Sequence, residues 1–250
     1  PFSIEQSSSN ALNSFSTNTI YAIMGEDEAL LSINDSWYGS LNTFEPGKGY
    51  WFIVSSNTPF VYNEPNVNVS SESQFSSLDY EDFDPSYNQS TLQSIFFIES
   101  IYHSGQEASD EILLNLYCND TISVQKIWAS NFTDIIAMGN DGFEQTSSYC
   151  ENNQKILINS SETNDHYYFL KGDDKWMANN FNINILSDSD FGDLNYNNIL
   201  NITDVIILLE HVLEINEFQN SHQNLLADTN QDTNINIADI IINIENILNN

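Results

Sequence analysis

The chain has 250 residues and carries 36 Asp and Glu against five Lys and no Arg, a formal net charge of −31. That sign and size exclude a binder of nucleic-acid phosphates and disfavour an anionic membrane surface; they suit a medium supplying salt and divalent cations. A hydrophobic content of 40% with 12% aromatic residues argues for packed cores over disorder, and no apolar run approaches the roughly 20 residues of a membrane span.

The fold class expected is mainly β: a small β module, then an antiparallel sandwich-like domain, then a helical C-terminal domain. The chain opens at Pro1 with no signal-peptide pattern, which reads as a mature or trimmed product. Residues 1–64 form the first module. It has a β-forming run at 20–24, the segment Trp37-Tyr38-Gly39-Ser40-Leu41, a strand at 50–54 and a further one at 60–62, with a turn at Pro46-Gly47, where proline presets φ and glycine accepts a positive one. Residues 65–85 are rich in Asn, Ser, Asp and Glu and read as an acidic linker. Residues 86–187 form the second module, with strands at 94–101, 112–117, 121–128, 155–159 and 166–170; short strands at this spacing predict an antiparallel sandwich. Residues 188–250 form the third, with helices at 202–215 and 237–248. One face of the first gathers Ile202, Val205, Ile206, Leu209, Val212 and Leu213, and one face of the second gathers Ile237, Ile240, Ile241, Ile244 and Leu248. Ile207 and Leu208 widen the first stripe, which predicts a helix packed on two sides.

Two twelve-residue stretches precede these helices. One runs Asp193, Asn195, Asn197, Ile199, Asn201, Asp204; the other runs Asp228, Asn230, Asp232, Asn234, Asn236, Asp239 at the same positions, 35 residues on. Each offers oxygens at positions 1, 3, 5, 9 and 12, with a backbone carbonyl at 7. A hard cation such as calcium takes six to eight oxygens, and a loop of this period wraps them round one ion. Two Ca2+ ions are therefore expected. The first loop has two carboxylates and the second three, so the second is expected to bind more tightly.

This C-terminal segment resembles a dockerin, a small module of two calcium loop–helix repeats, and the resemblance covers about 60 residues. It implies that the residues just named are the ligands, with Asn201 acting through water. Position 6, usually glycine, holds Asn198 and Thr233. The Ser-Thr pair with which many dockerins recognise a cohesin is replaced by Ile202-Thr203 and Ile237-Ala238, so the resemblance does not carry cohesin recognition across. The preceding modules resemble those of secreted multi-module proteins of aquatic bacteria. The residues concerned are Ile23-Met24-Gly25-Glu26, Trp37-Tyr38-Gly39-Ser40-Leu41, Pro46-Gly47-Lys48-Gly49-Tyr50-Trp51, Tyr87-Asn88-Gln89-Ser90-Thr91 and Ile135–Gly142. That resemblance implies a first module lacking its first strand.

Cys118 and Cys150 are the only cysteines, and an even pair in a secreted chain favours a disulfide. Sequons at Asn34, Asn68, Asn88, Asn119, Asn131, Asn159 and Asn201 are candidate glycosylation sites. None of His103, His166, His211 and His222 forms a helical zinc pair, and no nucleophile elbow or phosphate loop occurs. Trp37, Trp51, Trp128 and Trp176 could stack on carbohydrate, though strand tryptophans are more often core. The expectation is an extracellular or cell-surface, calcium-binding, non-enzymatic assembly protein, a fibre or scaffold subunit joined by strand addition and module docking. Its partners would be other copies or a surface scaffold protein. The alternative is a carbohydrate-binding or scaffold-docked component of a secreted enzyme complex.

Overall fold

The computed structural model describes residues 4–13, 19–57, 59–63, 90–118, 121–162 and 166–249. The acidic 65–85 stretch and the sequons Asn68, Asn88 and Asn119 lie outside them. The chain is mainly β with a helical C-terminal segment, and it divides into two compact units. One comprises 1–92 with 138–147; the other comprises 93–137 with 148–250.

The first unit holds β1 (Gln6–Ser7), α1 (Ser8–Ala11), β2 (Ile20–Met24), β3 (Ala29–Ile33), β4 (Ser36–Tyr38), β5 (Thr43–Phe44) and β6 (Trp51–Val54). Its main sheet runs β4-β3-β2-β6, all antiparallel, while β1 pairs with β5. The β3–β4 turn uses Asn34 and Asp35 at φ 48° and 62°, the left-handed pair that matches strand twist. Gly39 sits at φ 122°, and a Cβ there would lie 2.2 Å from the Ala29 carbonyl oxygen. The core gathers Leu12, Ile20, Ile23, Leu30, Leu41 and Phe44. An aromatic group covers it, with Phe44 edge-on to Tyr50 at 4.8 Å and Phe52 against Phe60 at 4.5 Å. The strand expected at 60–62 is not one: these residues are irregular, and Phe60 and Tyr62 serve as packing rings instead. β3, unforeseen, is a buried run, Ala29-Leu30-Leu31.

The second unit holds ten further strands. These are β7 (Gln93–His103), β8 (Gln106–Glu107), β9 (Ile112–Cys118), β10 (Thr121–Trp128), β11 (Thr133–Met138), β12 (Gln154–Lys155), β13 (Leu157–Ser160), β14 (His166–Lys171), β15 (Lys175–Trp176) and β16 (Asn180–Ser187). Eight of them make one sheet ordered β10-β9-β13-β14-β16-β7-β11, with β8 hairpinned onto β7. The sheet is mixed: β16 runs parallel to β7, with Asn180 opposite Ser94 and Ser187 opposite Tyr102. Ile95, Phe96, Phe97 and Ile98 of β7 are all fully buried, so this strand is covered on both faces. Trp128 and Trp176 are core residues whose indole N–H groups donate to the Ile98 and Ala137 carbonyls at 3.2 and 2.9 Å. Cys118 and Cys150 form a disulfide.

The chain then enters α2 (Ile202–Val212), α3 (Ser221–Ala227) and α4 (Ile237–Asn249). The helix expected at 202–215 stops at Val212, and α3 was not foreseen. Asn201 caps α2 in a capping box with Asp204, and Asn220 caps α3, each side-chain oxygen accepting an N–H left without a helical partner. The helices share one core with the sheet: Tyr102, Leu170 and Ile185 pack with Leu194, Val205, Leu208, Leu226 and Ile240.

Candidate metal centre

The two twelve-residue loops fold alike. In each, the position-1 carboxylate accepts the N–H groups of positions 5 and 6: Asp193 from Asn197 and Asn198 at 3.1 and 2.8 Å, Asp228 from Asp232 and Thr233 at 3.0 and 2.8 Å. Position 5 accepts from the N–H of position 7, through Asn197 at 2.9 Å and Asp232 at 2.8 Å. Position 9 donates its amide to the position-7 carbonyl, Asn201 to Ile199 at 2.8 Å and Asn236 to Asn234 at 2.9 Å. The position-12 carboxylate reaches back across the loop. Asp204 accepts from Asn195 and Asn201, and Asp239 from Asn230 and Asn236, all through backbone N–H groups at 2.9–3.3 Å. Positions 4 and 6 are left-handed in both: Tyr196 and Asn198 at φ 62° and 58°, Gln231 and Thr233 at 56° and 69°. Asn takes this geometry easily and a β-branched Thr at a cost.

Every candidate ligand thus lies on one of two similarly shaped loops. Among the described residues no group of three His, Cys, Asp or Glu side chains is disposed to hold a metal. The loops would rely instead on amide and carbonyl oxygens between their carboxylates. The donor set fits a hard cation. Asp193, Asp204 and Asp239 are 2%, 0% and 0% exposed, yet no Lys or Arg occurs from residue 188 onward. Burial pushes the Asp204 carboxyl up, hydrogen bonds from Asn201, Asn195 and Leu194 pull it down, and the Asp193 carboxylate adds repulsion. Buried carboxylates with only N–H partners are costly, and a cation brought in from outside would relieve them. A cleft of about 480 Å3 opens beside the first loop, with Asp190 and Asp193 in its wall. Both Asp193 oxygens are committed within the loop, so these two carboxylates are not a free acid–base pair.

The apolar stripes of the helices divide in a way that periodicity does not reveal. Val205 and Leu208 of α2 and Ile240 of α4 face the core. Ile202, Ile206, Leu209 and Leu213 are 63%, 48%, 40% and 58% exposed; Ile237, Ile241, Ile244 and Leu248 are 66%, 50%, 40% and 78% exposed. Counted from the first residue of each loop, both sets occupy positions 10, 14, 17 and 21. A helix with two apolar sides was expected at α2, but only one of those sides is packed.

Sequence reading missed the residues that support the loops. Gln223 donates to the Leu194 carbonyl at 2.9 Å, and the fully buried Asn243 accepts from the Thr229 hydroxyl at 3.1 Å. The available signal for Asn243 was one polar residue inside the run Ile240-Ile241-Ile242-Asn243-Ile244. His222, also 0% exposed, is held by both ring nitrogens. His211 stacks on Phe218 at 3.7 Å, and His103 contacts the Tyr167 hydroxyl at 2.8 Å. Trp51 is 58% exposed, whereas Trp128 and Trp176 are inside the core. Among the sequons, Asn34 and Asn131 are exposed, Asn159 is 5% exposed and hydrogen-bonded to Asn115, and Asn201 caps α2. Comparison of the chain with protein families, with curated proteins and with solved structures finds no match.

Proposed function

We propose that this chain is an extracellular, non-catalytic assembly protein whose helical end binds two calcium ions and docks onto a surface scaffold. The observation that carries the reading is the pair of equivalent exposed stripes, Ile202-Ile206-Leu209-Leu213 and Ile237-Ile241-Ile244-Leu248, each following a calcium-type loop. A solvent-facing apolar stripe on one helix can be incidental; the same four positions in two repeats support a binding face. The occupant is a separate protein with an apolar, neutral or basic contact surface. Residues 188–250 contain eleven Asp and Glu and no Lys or Arg, so a second copy of this face would bring like charges together.

The test has two arms. Calorimetric titration should find two calcium sites, the tighter at 228–239, and chelator should lower the melting temperature; no change with chelator would remove the calcium part. The calcium-loaded chain is then presented to surface-extracted proteins beside an Ile206→Glu/Ile241→Glu variant. A calcium-dependent complex lost in the variant, with a neutral or basic partner, supports the reading. Self-association through these residues, or a complex that survives the variant, overturns it. Strand addition has one observation of its own: β6 lies at the edge of its sheet with Trp51 and Val54 58% and 45% exposed.

A further inference from the structure

The first calcium-type loop is tied to the sheet by one stack of rings. His222 lies between Tyr102 of β7 and Tyr196 of the loop, with ring centres 4.8 and 5.1 Å away and planes inclined by 18° and 15°. Its Nδ1 accepts the Gly105 N–H at 3.1 Å, which places the proton on Nε2, and Nε2 donates to the Ser187 hydroxyl at 2.8 Å. The Ser187 hydroxyl in turn donates a hydrogen bond to the Ser189 carbonyl at 2.7 Å. Ser104 and Gly105 form the tight turn between β7 and β8, at φ 46° and 91°. The Ser104 N–H donates to both Asp188 carboxylate oxygens at 3.2 and 3.1 Å. A Cβ on Gly105 would meet Tyr196 Cε2 at 2.8 Å and Asn220 Nδ2 at 3.0 Å. The Tyr196 hydroxyl donates to Asn220 Oδ1 at 2.8 Å, the same oxygen that caps α3.

Tyr196 is position 4 of the loop, and its left-handed backbone belongs to the loop's wrapped shape. Its neighbours are positions 3 and 5, both candidate ligands. A loop that unwraps carries the Tyr196 ring off His222. The Gly105 N–H then loses the flat partner surface that holds its acceptor in place. The connection also runs in reverse, because coupling between two equilibria is reciprocal.

We propose that the Tyr102–His222–Tyr196 stack couples cation binding in the 193–204 loop to docking of the β7–β8 turn, so that each stabilises the other. This rests on the calcium reading of that loop. The 228–239 loop has no counterpart to the stack, since its position 4 is Gln231, an exposed residue. The two sites therefore differ in consequence as well as in charge: one ion fixes the helical segment on the sheet, and the other serves its own helix.

The test is amide hydrogen exchange at Gly105 in the full chain, with calcium and with chelator, alongside calorimetric calcium titration. Calcium should slow exchange at Gly105 at least tenfold. Tyr196→Leu should keep two-site binding but lose that calcium-dependent protection, while Asp228→Ala should retain it. In case Tyr196→Leu unfolds, Gly105→Ala is the second variant: it lies outside the loop, yet should weaken one calcium site five- to tenfold and leave the other unchanged. Two-site binding with Gly105 exchange indifferent to calcium, or with both affinities unmoved in Gly105→Ala, overturns the coupling alone. A chain that takes up no calcium by calorimetry overturns the calcium reading and the coupling with it.

Discussion

Leu208 of α2 and Leu213, the residue that caps its C-terminal end, lie five residues apart, and the structure gives them opposite fates. Leu208 is 0% exposed in the core that joins α2, α3 and α4 to Tyr102, Leu170 and Ile185 of the sheet. Truncating it to Ala removes buried methyl groups and leaves a cavity between elements that cannot close independently; buried leucines of this kind cost about 3–4 kcal/mol. Leu213 is 58% exposed. Full burial of a leucine is worth roughly 1.5–3 kcal/mol, so the buried two-fifths of Leu213 contributes about 0.6–1.2 kcal/mol at most, with no cavity to add. Urea titration at saturating calcium should therefore place the midpoint of Leu208→Ala well below that of Leu213→Ala. The slopes should be equal, since both variants expose the same unit on unfolding. A difference under 1 kcal/mol would refute the division of the helix into a packed side and an open side, and with it the argument for a docking face. For the proposed docked complex the converse is expected: Leu213→Glu should weaken binding while leaving the midpoint nearly unchanged.

Three further outcomes follow from the geometry. Thr233→Gly relieves a β-branched residue at φ 69°; a left-handed penalty of about 1–2 kcal/mol set against glycine's entropy of about 0.5–1 leaves a net gain near 0.5–1 kcal/mol, readable as a higher melting temperature with calcium. Burial holds the His222 imidazole down at about 4, with Asp188 and Asp193 pulling upward and His103 pushing down. The unfolded chain takes up the proton first, so this contribution is complete above about 6.5 and is lost as pH falls towards 4. It amounts to roughly 3 kcal/mol. His222→Phe should lack that limb of the stability–pH curve, and an unchanged curve would contradict the buried neutral ring. Reducing the Cys118–Cys150 disulfide, whose ends are 32 residues apart, should cost about 3–4 kcal/mol by loop entropy, measured as a shift in urea midpoint.

What could be read from the sequence was whatever one stretch of chain decides alone. The two wrapped loops at 193–204 and 228–239 were legible as a repeat because each sets its polar positions by local spacing. The start of α2 at Ile202 was legible in the same way, from the apolar run that begins there; the structure adds Asn201 as its cap. β16 was not legible: in Asn180-Phe181-Asn182-Ile183-Asn184 every second residue is a poor strand former. Its place is secured by pairing with β7, 86 residues earlier at Ser94, an interaction that leaves no local trace. Parallel order cannot be inferred from alternation, so an antiparallel sandwich was the natural but incomplete expectation.

The helices show a different limit. Hydrophobic periodicity records which residues avoid water, without recording what covers them. Ile206 and Val205 stand side by side on the expected stripe, yet one is 48% exposed and the other 5%. A stripe wide enough for two partners looks the same whether both belong to one chain or one arrives later. The repeat adds an observation that a single helix lacks: the same four positions are exposed in both. Core packing does not call for exposed isoleucine or leucine at positions 10, 14, 17 and 21 of both repeats, since these side chains are outside the core. Ile202 and Ile237 begin both stripes immediately after position 9 of the loops, so the wrapped loop sets where each stripe starts. A cation held there would fix the first residue of each docking stripe, and removing it should loosen partner binding before it unfolds the sheet.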